Sequence, residues 1–188
     1  GGTVVITGGS GALGTLFADF LSDHHPDIRI LLLSRSGKNK LVSKKNVVGV
    51  KCDVSCLEEL TPIMNTITDL TGVIHAAGIL RDGSFVNLGK SEFESVYATK
   101  VYSAKNLDYL TKMKDLKFFI LCSSIASALG NYGQTNYAFA NSVLDEIAEK
   151  RRNMGYCATS LQWGAWDLEG HGMANETIIH SLKQMGLG

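Results

Sequence analysis

The sequence predicts an α/β domain built on one doubly wound parallel sheet with helices on both faces. Three observations support this. Short apolar runs recur along the chain and are continuous rather than alternating, as in strands buried on both sides. Helix-periodic stretches separate them in a β-α-β-α order. The first apolar run ends in clustered glycines that open onto a helical pattern.

Thr3–Thr7 reads as the first strand, and Ala12–Ser22 as a helix with Leu13, Leu16, Phe17, Phe20 and Leu21 at helical spacing. Ile28–Leu33 and Val47–Val50 are the next two strands. The lysine-rich stretch Ser36–Asn46 between them is short, so any helix in that crossover must be brief, and Lys38, Lys40, Lys44 and Lys45 read as a solvated face. Helix Leu57–Ile67 then leads to strand Val73–His75. A long helix over Ser91–Thr111 precedes strand Phe118–Cys122, and helix Asn136–Arg152 precedes strand Ala158–Trp163. The tail from Gly170 to Gly188 carries one amphipathic stretch, Thr177–Met185.

A chain of 188 residues suits one domain, 1–188. Eighteen basic residues balance eighteen acidic ones, which argues against a nucleic-acid or membrane-surface partner. The longest apolar runs fall far short of the ~18 residues of a membrane span. Cys52, Cys56, Cys122 and Cys157 form no CxxC pair, and none of the five histidines completes a zinc pattern, so no metal is expected. Read as buried, reduced thiols, they place the chain in the cytoplasm. The abrupt start on a strand suggests a piece of a longer polypeptide.

The turn Thr7-Gly8-Gly9-Ser10-Gly11-Ala12-Leu13-Gly14 sits between a strand and a helix, the context a dinucleotide fingerprint requires. Glycines there let backbone approach a pyrophosphate, and the helix start attracts anions. The second strand ends Leu33-Ser34-Arg35-Ser36, with no acid for a ribose 2′-hydroxyl and an arginine suited to a 2′-phosphate, which favours NADPH. Asp53-Val54 and His75-Ala76-Ala77-Gly78 fall at further strand ends, where a bound dinucleotide lies. Asp53 either accepts from adenine or caps a helix, a role Ser55 could also fill.

Another strand ends in Ser123-Ser124, and Tyr137 and Asn141 follow four residues apart on one helix face. Lys100 falls within the apolar stripe Phe93, Val96, Tyr97, Ala104 and Leu107, so it either snorkels out or has a buried polar task.

Together these residues resemble the short-chain dehydrogenase/reductase superfamily, a Rossmann-type fold. Within it they are similar to the ketoreductase domains of modular polyketide synthases and animal-type fatty acid synthases. The resemblance runs through TGGSGALG, LLLSRSG, CDVS, GVIHAAGILRDG, LCSSIASALGNYGQTNYAFANSVLDEIAEKRR and LQWGAW, in order. The superfamily's usual Tyr-x-x-x-Lys is changed here, with Asn141 in place of the lysine. The ketoreductase subfamily makes the same exchange and carries its lysine on the preceding long helix, where Lys100 stands.

The resemblance implies that Tyr137 donates a proton to a substrate carbonyl, with Lys100 lowering the phenol pKa and bonding the nicotinamide ribose. It implies that Ser124 steadies the developing alkoxide and that Asn141 holds a water or a helix carbonyl in the proton relay. Trp163-Gly164 lie beside the nicotinamide, and 170–188 resembles a lid. The implied substrate is a β-ketoacyl thioester on an acyl carrier protein, with neighbouring synthase domains in the same polypeptide. Leu80-Arg81-Asp82, Leu129 in place of a tryptophan, and Gln134 point to a (3R) product. The resemblance also implies a final strand that the sequence lacks. A non-catalytic nucleotide-binding or scaffolding domain of a multienzyme is the competing reading.

Overall fold

The computed structural model describes residues 1–164. Its six strands are β1 Gly2–Thr7, β2 Ile28–Ser34, β3 Val47–Lys51, β4 Leu70–His75, β5 Phe118–Ser124 and β6 Thr159–Trp163. They form one parallel sheet in the order β3-β2-β1-β4-β5-β6, a doubly wound Rossmann-type arrangement. The order reverses between β1 and β4, so crossovers leave those neighbouring strands toward opposite faces and open a crevice at their carboxyl ends. The expected lid at 170–188 and the helical stretch Thr177–Met185 lie outside the described residues. No helix among the described residues is long and apolar enough to cross a membrane.

The helices are α1 Ala12–His24, α2 Leu57–Asn65, α3 Lys90–Tyr97, α4 Ser103–Thr111, α5 Ala126–Leu129 and α6 Thr135–Asn153. Two apolar clusters sandwich the sheet. Val5, Leu33, Val73 and Leu121 meet α2, α4 and α6 on one face; Val4, Ile6, Leu32 and Ile74 meet α1 on the other. This two-sided burial is why the strands read as unbroken apolar runs.

Helix α1 departs from its expected packing. It buries the small residues Gly14, Ala18 and Ser22, while Leu16 and Phe20 are exposed at 41% and 55%. Small side chains let the helix approach the sheet closely, and Leu13, Phe17 and Leu21 pack along its edges.

The Ser36–Asn46 crossover contains no helix at all. Asn39 organises it, donating to the Val47 carbonyl at 3.0 Å and accepting from the Leu41 N–H at 2.8 Å. Lys44 is more than solvated surface there, because its Nζ pairs with Asp19 at 3.1 Å and with Asp23, tying the loop to α1.

The expected long helix over 91–111 is interrupted. A π-helical turn, Ala98–Tyr102, joins α3 to α4, and the Ser103 N–H reaches back five residues to the Ala98 carbonyl. Single π-turns of this kind often mark functional positions. Lys100 lies at its centre.

All four cysteines are free thiols. Cys52 and Cys122 are buried as expected, while Cys56 and Cys157 are only half-buried.

Candidate active site

A cleft of about 740 Å³ opens at the carboxyl ends of the strands, within the size range of cofactor and small-molecule sites. One end is the glycine turn after β1. Gly8 adopts φ +70°, and a Cβ there would stand 2.7 Å from the Ala76 carbonyl oxygen. At Gly14 a Cβ would stand 2.5 Å from the Gly8 carbonyl oxygen, so side chains would force the turn apart. No side chain caps α1 and no acidic residue occupies its first turn, which suits an anion at that helix start.

Gly8, Ser10, Gly11, Leu13 and Gly14 all line the cleft. Gly9 does not. It faces inward, where a Cβ would lie 2.5 Å from that of Leu32, so it lets the turn pack closely against β2.

Ser34 and the exposed Arg35 form the wall beyond β2, with Asp53 and Val54 beyond β3. Asp53 Oδ1 accepts from both the N–H and the hydroxyl of Ser55. Neither residue caps α2, whose N-cap is Cys56 without a side-chain bond. Ser36 also lines this wall, although its position in the loop after Arg35 gave no signal of its own.

Ala76, Ala77 and Gly78 continue the lining past β4. His75, expected beside the cofactor, lies behind this lining, wholly buried and outside the cleft wall. Burial pushes its pKa down to about 3, so the ring is neutral.

At the other end, Ser124, Tyr137, Lys100, Trp163 and Gly164 converge on the same cleft. Lys100 is only 3% exposed, and its Nζ donates to the Cys122 carbonyl at 3.0 Å. That Nζ lies 5.3 Å from the centre of the Tyr137 ring. Burial pulls the lysine pKa down to about 8. The phenol of Tyr137 is held above its usual range, because burial outweighs the hydrogen-bonding side chains of Asn141 and Ser124. The expected lowering of this pKa by Lys100 is therefore not the dominant effect in this arrangement.

Asn141 turns back on its own helix and donates to the Tyr137 carbonyl at 2.8 Å. Its Oδ1 is buried without a hydrogen-bond partner among the described residues, an acceptor suited to a relay water or another donor.

The segment after β4 is stitched to the start of α6. Gln134 donates to Asp82 at 3.0 Å and accepts from Asn131 at 2.9 Å. Asn136 donates to the Arg81 carbonyl at 2.8 Å, and the Gly83 N–H to the Gly133 carbonyl at 2.9 Å. Leu80, Leu129 and Gln134 line the cleft, Leu129 at its exposed rim, while exposed Asp82 lies outside the lining and meets it only by its bond with Gln134. Asn131 was not anticipated. An asparagine in a glycine-flanked loop looks like any turn residue until its partner is known.

Comparison with known proteins agrees with this geometry. The family model for the KR domain matches residues 2–168. Polyketide synthase GfsA of Streptomyces halstedii is 38% identical over 95% of this chain, which covers 2% of that protein. Erythronolide synthase EryA2 of Saccharopolyspora erythraea is 39% identical over 88% of this chain, covering 5% of that protein. A Mycobacterium tuberculosis relative, 35% identical over 98% of this chain and covered over 12% of its own length, is named a putative inactive phenolphthiocerol synthesis polyketide synthase, Pks1. Among solved structures, the ketoreductase from the first module of phoslactomycin biosynthesis in Streptomyces sp. HK803 superposes with a TM-score of 0.88 at 34% identity, over 97% of this chain and 45% of its own. A ketoreductase domain from the bacillaene assembly line gives 0.89 at 33% identity, over 98% of this chain and 49% of its own. The chain thus spans a small fraction of its curated relatives and under half of each of these two solved chains.

Proposed function

The chain belongs to the ketoreductase (KR) domain family of polyketide synthases, and on that premise we propose that it reduces a β-ketoacyl thioester, carried on an acyl carrier protein, to the (3R)-β-hydroxyacyl thioester with NADPH. The observation that carries the reading is the convergence of Ser124, Tyr137 and Lys100 at one end of a cleft whose other end is an uncapped helix start behind a glycine turn.

The residues fit a nicotinamide dinucleotide. The glycine turn and α1 would hold the pyrophosphate, Arg35 the 2′-phosphate, and Asp53 the adenine side. When bound, NADPH supplies a hydride to the substrate's carbonyl carbon. Tyr137, whose raised pKa keeps it protonated at neutral pH, donates its phenolic proton to the carbonyl oxygen. Ser124 donates a hydrogen bond to the same oxygen as negative charge develops on it. Lys100 holds positive charge beside the Tyr137 ring, and Asn141 offers its buried Oδ1 to a water that returns a proton to the phenol.

The (3R) face rests on the resemblance carried by Leu80, Asp82 and Leu129, and the bonds of Gln134 to Asp82 and Asn131 tie that loop to the start of α6. Neighbouring synthase domains of the same polypeptide, in polyketide or fatty acid biosynthesis, would supply the substrate in the cytoplasm.

The test is consumption of NADPH with a β-ketoacyl thioester mimic, followed in the native chain and in Tyr137→Phe. Turnover lost in the variant by about 10²-fold or more, with dinucleotide binding retained, supports the reading. Dinucleotide binding without turnover in the native chain overturns it in favour of a non-catalytic nucleotide-binding domain, a possibility raised by the relative named as inactive.

A further inference from the structure

We infer that His75, which is buried outside the cleft lining, is a positioning residue that fixes Lys100 by holding the main chain of the π-turn. The inference rests on Lys100 belonging to the reducing site. It adds a residue that acts on that lysine from behind.

Thr7 and His75 are register partners on β1 and β4, so their side chains stand together on one face of the sheet. The Thr7 hydroxyl lies 2.7 Å from His75 Nδ1, and His75 Nε2 lies 2.8 Å from the Lys100 carbonyl oxygen. That carbonyl can only accept, so Nε2 carries the ring proton and Nδ1 accepts from the Thr7 hydroxyl. The hydroxyl oxygen in turn accepts from the Ala77 N–H at 3.2 Å. A directed chain of hydrogen bonds therefore runs from Ala77 through Thr7 and His75 to Lys100.

Both ends of this chain are in the site: Ala77 lines the cleft, and Lys100 carries the buried cation. The anchored carbonyl belongs to the central residue of the Ala98–Tyr102 π-turn, where the regular i→i−4 pattern is broken; it also accepts from the Ser103 N–H, and His75 is its partner from the sheet. Two ring nitrogens, both satisfied, set the orientation of that turn relative to the sheet. The Lys100 side chain leaves the same residue to meet the Cys122 carbonyl on β5. Its charge environment comprises the Cys122 thiol, Tyr137, Asp145 on α6 and neutral His75.

Four proteins test this: the native chain, His75→Leu, His75→Gln and Thr7→Val. Glutamine can donate to the Lys100 carbonyl and accept from Thr7, so it is the conservative rescue. Thr7→Val keeps the threonine shape but frees Nδ1, and it decides the matter if His75→Leu does not fold. The first readout is steady-state reduction: kcat falls about tenfold or more in His75→Leu and Thr7→Val and recovers in His75→Gln. The second readout needs no turnover. Reductive methylation of Lys100 by formaldehyde and borane, followed by peptide mass spectrometry across pH, reports the lysine's midpoint.

The expected midpoint is near 8 in the native chain and rises toward that of a solvated lysine in the two disrupting variants. His75→Gln keeps the native value. A native midpoint and native kcat in Thr7→Val and in any folded His75→Leu overturn the proposal. If the native chain shows no turnover, the proposed function fails, and the methylation midpoints alone decide the role of His75.

Discussion

Lys100 Nζ and the Tyr137 ring meet at 5.3 Å although the residues come from different elements, a π-turn and the first turn of α6. The lysine also bonds the Cys122 carbonyl, so one cation links two layers of the domain. No carboxylate forms an ion pair with it among the described residues, and burial is the leading cause of its depressed pKa. A cation held this way costs stability, which gives the pair a thermodynamic signature.

Because the folded-state value is about 8 and the model-compound value 10.5, the unfolded chain binds more protons between those limits. Stability contributed by this group therefore rises as pH increases from 8 to 10.5. Lys100→Met should abolish that rise and melt at higher temperature at pH 7 while reducing substrate far more slowly. Thermal melts at pH 7 and 9.5, beside initial rates, check both halves.

Arg35 should set the choice of dinucleotide. Charge-assisted hydrogen bonds contribute about 1.5–3 kcal/mol, so Arg35→Ala should lower kcat/KM for NADPH by about tenfold to a hundredfold and leave NADH turnover nearly unchanged. Equal losses with both dinucleotides would remove Arg35 from the 2′-phosphate site.

Gln134 should govern the face of attack more than the rate. Gln134→Leu keeps similar bulk but breaks the bonds to Asp82 and Asn131. The loop that carries Leu80 then loses one of its ties to α6, and the (3R) fraction of product should fall. Chiral chromatography of the β-hydroxyacyl product measures it.

Arg151 should matter for stability alone. Its guanidinium is buried, stacks 4.0 Å from the Phe119 ring centre and pairs with Asp108 at 2.6 Å, pinning α6 to α4 and β5. Asp108→Ala removes its carboxylate partner while the bonds to Cys157, Thr111 and the residue-108 carbonyl remain, and should destabilise the fold by about 1.5–3 kcal/mol, read as a lower urea midpoint. Dinucleotide affinity should hold where the variant remains folded.

The division between sequence and structure follows from the range of the forces involved. Strand positions, the glycine turn, Arg35 and the Tyr137/Asn141 pair were legible because periodicity, turn chemistry and strand-end placement are local. Lys100 was conspicuous as a charge on an apolar stripe, and family resemblance supplied the reason for it. The π-turn beneath it was invisible, since an apolar stripe does not mark where helical hydrogen bonding slips by a residue, and the carbonyl there meets His75 of β4, distant in sequence. Gly9 and His75 share motifs with cleft residues yet face the core, because which side of a strand end meets ligand is settled only when the sheet packs. For the same reason α1 buries Gly14 and Ala18 rather than Leu16 and Phe20: the sequence sets a helical period, but close approach to the sheet selects the face. The amino-acid sequence by itself determined the architecture and the chemical groups of the site. Tertiary packing decided which of those groups reach the cleft, at what protonation state, and what holds them there.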